Sequence, residues 1–258
     1  MVATASSSLT LHCGGVRMER EQLRALAPPI PATSTHFPIP HHDLVRQTVE
    51  QLEAIGVTVD NESHGVSHAG NRYFGVFGLG GGRDADGYGL IIGLRNSHDR
   101  SYRASLALGT RVFVCDNLSF SGEITIERKH TRWILRDLPG LMTEAIGRIV
   151  AQRCTMEERV ACYRQFQLSD EKASHLMIKS LDSGIVAANK LPLIVSEWRE
   201  PKHAEFEPRT AWSLFNAFTE CLKGYTADSM YARSQPLYGV FDAACGLAAA
   251  PAAQALAV

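Results

Sequence analysis

Between Val57 and Arg128 the apolar runs are short and closely spaced, and this spacing limits the fold more than any other feature of the chain. The runs are Val57–Val59, Arg72–Leu79, Tyr88–Arg95, Tyr102–Leu108, Arg111–Cys115 and Ile124–Arg128, separated by glycine or Asn/Asp clusters. A parallel crossover consumes a dozen or more residues, usually as a helix, and these gaps do not carry one. The spacing predicts an antiparallel, meander-like sheet. After Asp137 the apolar period lengthens to that of helices. Leu138–Gln152 and Glu157–Phe166 read as helices, or as one helix interrupted near Cys154 and Thr155. Ser169 opens another with an acidic first turn, running towards Leu181. Thr210–Leu222 carries Trp212, Leu214, Phe215 and Phe218 on one face, with Gly224 as its stop. The predicted class is α+β: an antiparallel sheet from residues 57 to 128, covered by helices from 41–55 and mainly from 138–222.

Three segments follow from this reading. Residues 1–40 form a loose arm, with a short helix around Met18–Leu26 and then the proline-rich run PPIPATSTHFPIP, which should run extended. Residues 41–225 form one α+β domain, opened by a helix over His41–Ile55 that Gly56 closes. Residues 226–258 form an alanine-rich tail, read as a frayed helix or disorder. With 258 residues the chain can bury roughly 70–75% of its unfolded surface, so neither disulfides nor a metal is needed for a core. Its 45% hydrophobic and 21% charged residues are those of a globular protein rather than a disordered one.

Composition also narrows the environment. No apolar run approaches the ~18 residues of a membrane span, and the first residues lack the basic start and apolar stretch of a secretion signal. The six cysteines (Cys13, Cys115, Cys154, Cys162, Cys221, Cys245) contain no CxxC pair, which argues against a zinc ribbon, a redox pair or a disulfide framework. A cytoplasmic protein with reduced thiols is expected.

Several motifs invite chemistry and have simpler accounts. Gly78-Leu79-Gly80-Gly81-Gly82 lacks the Gly-Lys-Ser/Thr of a Walker loop and precedes a strand rather than a helix, so it reads as a hairpin loop. His64 and His68 stand four apart, but the pattern around them is strand and turn, so no metal or cofactor is expected. His41 and His42 read as solvent-exposed residues at a helix start. In Val112-Phe113-Val114-Cys115 alternation puts Phe113 and Cys115 on one strand face, with Cys115 as a small buried apolar residue.

Arg95-Asn96-Ser97-His98-Asp99-Arg100-Ser101 differs, because an almost wholly polar run follows directly on an apolar strand. Asn, Ser and Asp suit a tight turn. Ser97, His98 and Asp99 stand too close in sequence to form a hydrolase triad. Asp99 is expected to accept hydrogen bonds from turn amides or a nearby arginine, holding Asn96–Arg100 together. From Arg95 to Arg136 there are eight Lys/Arg against four acids, a balance of +4 in a chain whose overall charge is −1. The run Arg128-Lys129-His130-Thr131-Arg132-Trp133 sets an aromatic among cations, a mixture that tracks a phosphate backbone and stacks bases. A sheet edge protected by charge has the same composition.

The stretch from Gly93 to Thr131 resembles the phage- and plasmid-like family known as domain of unknown function 932. The resemblance rests on an apolar strand running into an N-S-x-D turn, a serine, and a V-F-V-C run followed by asparagine. Here these are Asn96, Ser97, Asp99 and Ser101, then Val112, Phe113, Val114, Cys115 and Asn117. Phe37–His41 before a helix and the tryptophan-bearing Glu205–Glu220 are similar to other parts of that family. The resemblance implies a mobile-element protein and carries no catalytic residue set.

Two function classes follow. The first is a non-enzymatic binder of single-stranded or duplex nucleic acid, with Arg95, Arg100, Arg103, Arg128, Lys129 and Arg132 on phosphates and Trp133 or Tyr102 for stacking. The second is an enzyme centred on Asn96, Ser97, His98 and Asp99, with His130 as acid or base. A continuous positive surface favours the first, and a deep pocket joining that turn to His130 or Cys115 favours the second. A structural or protein-interaction role follows if the cations are dispersed.

Overall fold

The computed structural model describes residues 15–26, 31–33, 37–80, 87–115, 117–126, 133–223, 225–248 and 254–256. Seven strands form one sheet in sequence order: β1 (Val16–Met18), β2 (Val59–Ser67), β3 (Arg72–Leu79), β4 (Tyr88–Ser97), β5 (Ser105–Val112), β6 (Asn117–Ile126) and β7 (Gln254–Leu256). Neighbours from β1 to β6 are antiparallel, and β7 lies parallel to β6. The helices are α1 (Arg20–Ala25), α2 (His41–Ala54), α3 (Ile134–Ala151), α4 (Arg153–Gln165), α5 (Asp170–Asp182), α6 (Leu191–Arg199), α7 (Ala211–Leu222) and α8 (Ala227–Cys245). The fold is the expected α+β meander.

Period-two alternation divides the sheet residues between two faces. Ile92 pairs with Leu108 and Leu94 with Leu106, and these side chains join Tyr73, Phe77 and Leu90 under the helices. Phe74, Val76, Ile91, Leu118 and Phe120 form a second apolar cluster on the other face. Both faces are therefore buried, which accounts for strands that are apolar almost throughout. Met230 and Tyr231 of α8 complete the second cluster, whereas Tyr238 of the same helix bonds Ser119 of the first face at 2.7 Å. α8 thus passes the β6 edge and reaches both faces.

The structure corrects several boundaries. The first long strand is Val59–Ser67 rather than Val57–Val59. Tyr102–Leu108 and Arg111–Cys115 are not two strands, because β5 runs unbroken through Gly109 to Val112. Gly109 belongs mid-strand for a packing reason: a Cβ there would strike the Ser119 backbone. The V-F-V-C run is consequently a strand end and turn, with Phe113 40% exposed and Cys115 half-buried. The arm is packed too: Leu23 of α1 is buried, and Ile39 of the proline-rich run is fully so. Residues 227–245 are no disordered tail but a core helix, with Met230, Leu237, Tyr238 and Phe241 buried and Gly246 capping it at φ +73°. α6 has no counterpart in the sequence reading.

Candidate functional site

All the strand ends between β2–β3, β4–β5 and after β6 lie at one end of the sheet, since Arg72 pairs with Ser97 and Ser105 with Thr125. The polar run that follows β4 sits there. The side chains of Asn96, Ser97 and His98 point inward, and each bonds a main-chain carbonyl. Asn96 Nδ2 donates to the Ile39 carbonyl at 2.8 Å and to His41 Nδ1 at 3.0 Å. Ser97 Oγ donates to the Tyr102 carbonyl at 2.7 Å. His98 Nε2 donates to the same Ile39 carbonyl at 2.9 Å. These residues are buried, so the N-S-H sequence ties the arm and the turn to the sheet. Ser97, His98 and Asp99 share no bond with one another.

Asp99 is the expected acceptor. Its Oδ2 takes a hydrogen bond from Arg72 Nε at 2.8 Å, and its Oδ1 takes one from the Ser101 amide at 3.0 Å and another from the Ser101 hydroxyl. Burial opposes ionisation, but the bonds from Ser101 and Arg72 outweigh it and lower the carboxyl pKa to about 2. Arg100 then takes the left-handed conformation, φ +64°, and stands exposed at the tip.

The cations of this end are not equivalent. Arg95 points to the face of the second apolar cluster, where its guanidinium lies over the rings of Tyr102 at 5.2 Å and Tyr231 at 5.1 Å. Its Nε also donates to Ser105 Oγ at 2.8 Å. Arg100 and Arg103 are exposed. Arg128, Lys129, His130 and Arg132 lie outside the described residues. Trp133 is 47% exposed at the start of α3, with the Arg136 guanidinium 4.9 Å from its ring.

The structure brings Arg95, Asn96, Ser97, Asp99, Arg100, Ser101, Tyr102 and Arg103 together and leaves the rest of the V-F-V-C motif apart. Phe113, Cys115 and Asn117 sit at the opposite end of the sheet, where β5 ends and β6 begins. Asn117 Nδ2 donates to the Asn216 carbonyl at 3.2 Å, and the Cys115 carbonyl accepts from Lys223 Nζ at 2.5 Å. These are architectural bonds between a turn and α7.

Two polar clusters escaped the sequence reading. His41 is 1% exposed rather than solvated, donating from Nε2 to the Gly70 carbonyl at 3.0 Å and stacked flat on His98 at 3.8 Å. Neighbouring His64 bonds the Tyr73 hydroxyl at 2.9 Å, while His68 lies in the β2–β3 turn at φ +53°. The second cluster is a buried ion pair, Arg159 Nε to Asp242 Oδ1 at 2.9 Å, with Tyr163 donating to the same oxygen at 2.6 Å. Arg159 also reaches Ser121 at 3.2 Å, so the network ties α4 and α8 to β6. No sequence spacing signals either cluster, because every partner comes from another element. Among the described residues, no group of three or more His, Cys, Asp or Glu is arranged to hold a metal ion. No helix there is long and apolar enough to cross a membrane. Comparison of the chain with protein-family models, curated proteins and solved structures finds no match.

Proposed function

We propose that this protein binds nucleic acid without chemistry of its own, through the sheet end that carries the β4–β5 turn. One observation carries the reading. Arg95, Arg100, Tyr102 and Arg103 stand together at one sheet end, with the Arg95 guanidinium over the Tyr102 and Tyr231 rings and with Arg100 and Arg103 exposed. Cations and flat rings are interleaved at this end, which is what a phosphate backbone with stacking bases requires. Arg95, sandwiched between two tyrosines, serves as a fixed base for that surface, while Arg100 and Arg103 are the exposed phosphate contacts. The resemblance in the N-S-x-D and V-F-V-C runs extends the proposal to a cytoplasmic protein of a phage- or plasmid-type element.

Titration with single-stranded and duplex DNA and RNA over a range of salt tests this. Backbone contacts predict a log–log salt slope near −0.7 per phosphate contact on single strands. Replacing Arg100 and Arg103 by alanine together should flatten the slope by roughly one to two such increments. A binding constant indifferent to salt, or a double variant that binds like wild type, removes this reading.

A further inference from the structure

The far end of the sheet holds a cleft of about 170 Å³, lined among others by Asp60, Asn61, Gly78, Gly89, Arg111 and Phe113. Two glycines shape it. A Cβ at Gly89 would come within 2.9 Å of the Phe113 ring, and one at Gly78 within 2.7 Å of the Asn61 amide. Without those atoms the ring and the amide lie down against the strands. Successive residues of a regular strand point to opposite faces, yet Asp60 and Asn61 both line the cleft. The cause is a register slip: Val59 pairs with Leu79 and Asn61 with Gly78, so Asp60 is an extra, bulged residue. Bulges re-aim side chains in this way. Among the described residues, neither the Asp60 carboxylate nor the Asn61 amide takes part in a hydrogen bond or ion pair.

The geometry points to a binding site for a guanine base. A carboxylate beside an amide matches the guanine edge, where Asp60 accepts from N1–H and the exocyclic amine and Asn61 donates to O6. Adenine would set its N1 lone pair against the carboxylate, and uracil offers that carboxylate only one N–H. Phe113, 40% exposed, supplies a ring face for stacking. Arg111 supplies a guanidinium for an attached phosphate. A hollow of about 170 Å³ holds a base rather than a whole nucleotide, so the sugar and phosphate extend outward past Arg111. The site goes beyond the function proposed above, since it lies at the opposite sheet end from Arg95–Arg103 and does not depend on them.

Calorimetric titration of the full chain with GMP, AMP, CMP and UMP tests the assignment, alongside oligothymidylate with and without one internal guanine. GMP should bind at least tenfold more tightly than the other three mononucleotides. Asp60→Asn should bring GMP to the level of AMP without moving the melting temperature, and Phe113→Ala should weaken GMP at least tenfold. A GMP preference without an effect of the internal guanine assigns the site to free nucleotide, and the reverse assigns it to a strand. Either outcome supports the site. The Arg100→Ala/Arg103→Ala variant should keep the GMP preference, which separates this site from the basic sheet end. Equal affinity for all four mononucleotides with no guanine effect, no binding to any probe, or an unchanged preference in Asp60→Asn would overturn it.

Discussion

Acid should weaken this fold through His41 well before its carboxylates respond. The His41 ring is neutral, because Nε2 donates to Gly70 and Nδ1 accepts from Asn96. Burial, then the neighbouring His98, lowers its pKa from the ordinary 6.5 to about 3, against a smaller upward pull from the Gly70 bond. As pH falls below 6.5 the unfolded chain takes up a proton that the folded one refuses until about 3, so stability is lost across that window. At about pH 4.5, two units into the window at ~1.4 kcal/mol each, the loss is roughly 3 kcal/mol relative to about pH 7.5. Asp99, with its folded pKa lowered to about 2, adds its own loss only below its ordinary 3.8. At Glu62 burial opposes ionisation but His64 and Arg20 outweigh it and lower the pKa from 4.5, so its loss begins near that value and the histidine's share is read from a variant. Urea unfolding at both pH values, with unchanged slope m, reads the difference. His41→Gln keeps an amide near Gly70 but cannot titrate. It should be less stable at neutral pH and lose under about 1 kcal/mol on acidification. A His41→Gln protein with the wild-type pH dependence would refute the argument.

Other variants probe separate links. Asp242→Ala strands the Arg159 guanidinium in the core and should cost about 3–5 kcal/mol in urea melts, whereas Arg159→Met with Asp242→Leu should recover most of that loss. Asp99→Ala should cost about 1–3 kcal/mol by thermal melting, because it removes the acceptor of Arg72 Nε and of the Ser101 amide, and a double-mutant cycle with Arg72→Ala should show coupling. Gly93→Ala sets a methyl against the Tyr231 hydroxyl and the Phe120 ring, and should cost about 1–3 kcal/mol with an altered near-ultraviolet aromatic signal. Arg103→Ala should leave stability within about 0.5 kcal/mol while lowering the affinity for single strands.

What could be read from sequence was local. The strand spacing, the α2 and α7 faces and the bonds from Ser101 to Asp99 all depend on residues close along the chain. Gly109 misled because a glycine that breaks a strand and one that admits a neighbouring backbone look alike in sequence. α8 was hidden for a related reason: it packs on both sheet faces around Pro236, so no single apolar stripe marks it. His41 was misjudged as an exposed group, because its burial depends on Asn96, 55 residues away. The contact of Arg95 with Tyr231 was equally out of reach, since a helix beyond the whole sheet supplies that ring. Asp60 and Phe113 gave no warning, since a bulge is visible only once the register is known.

The position of α8 sets an order on synthesis. The strands of the meander meet neighbours made moments earlier, so the sheet can assemble while the rest of the chain is still emerging. Its last helix cannot: Tyr238 bonds Ser119 across 119 residues and approaches Thr110 across 128. Until α8 has emerged from the ribosome, Phe74 and Phe120 lack Met230 and Tyr231 and stay wet. A nascent chain stalled before Thr226 is then a half-closed sheet with an adhesive border, a client for chaperones, and the emergence of α8 is the event that makes it safe.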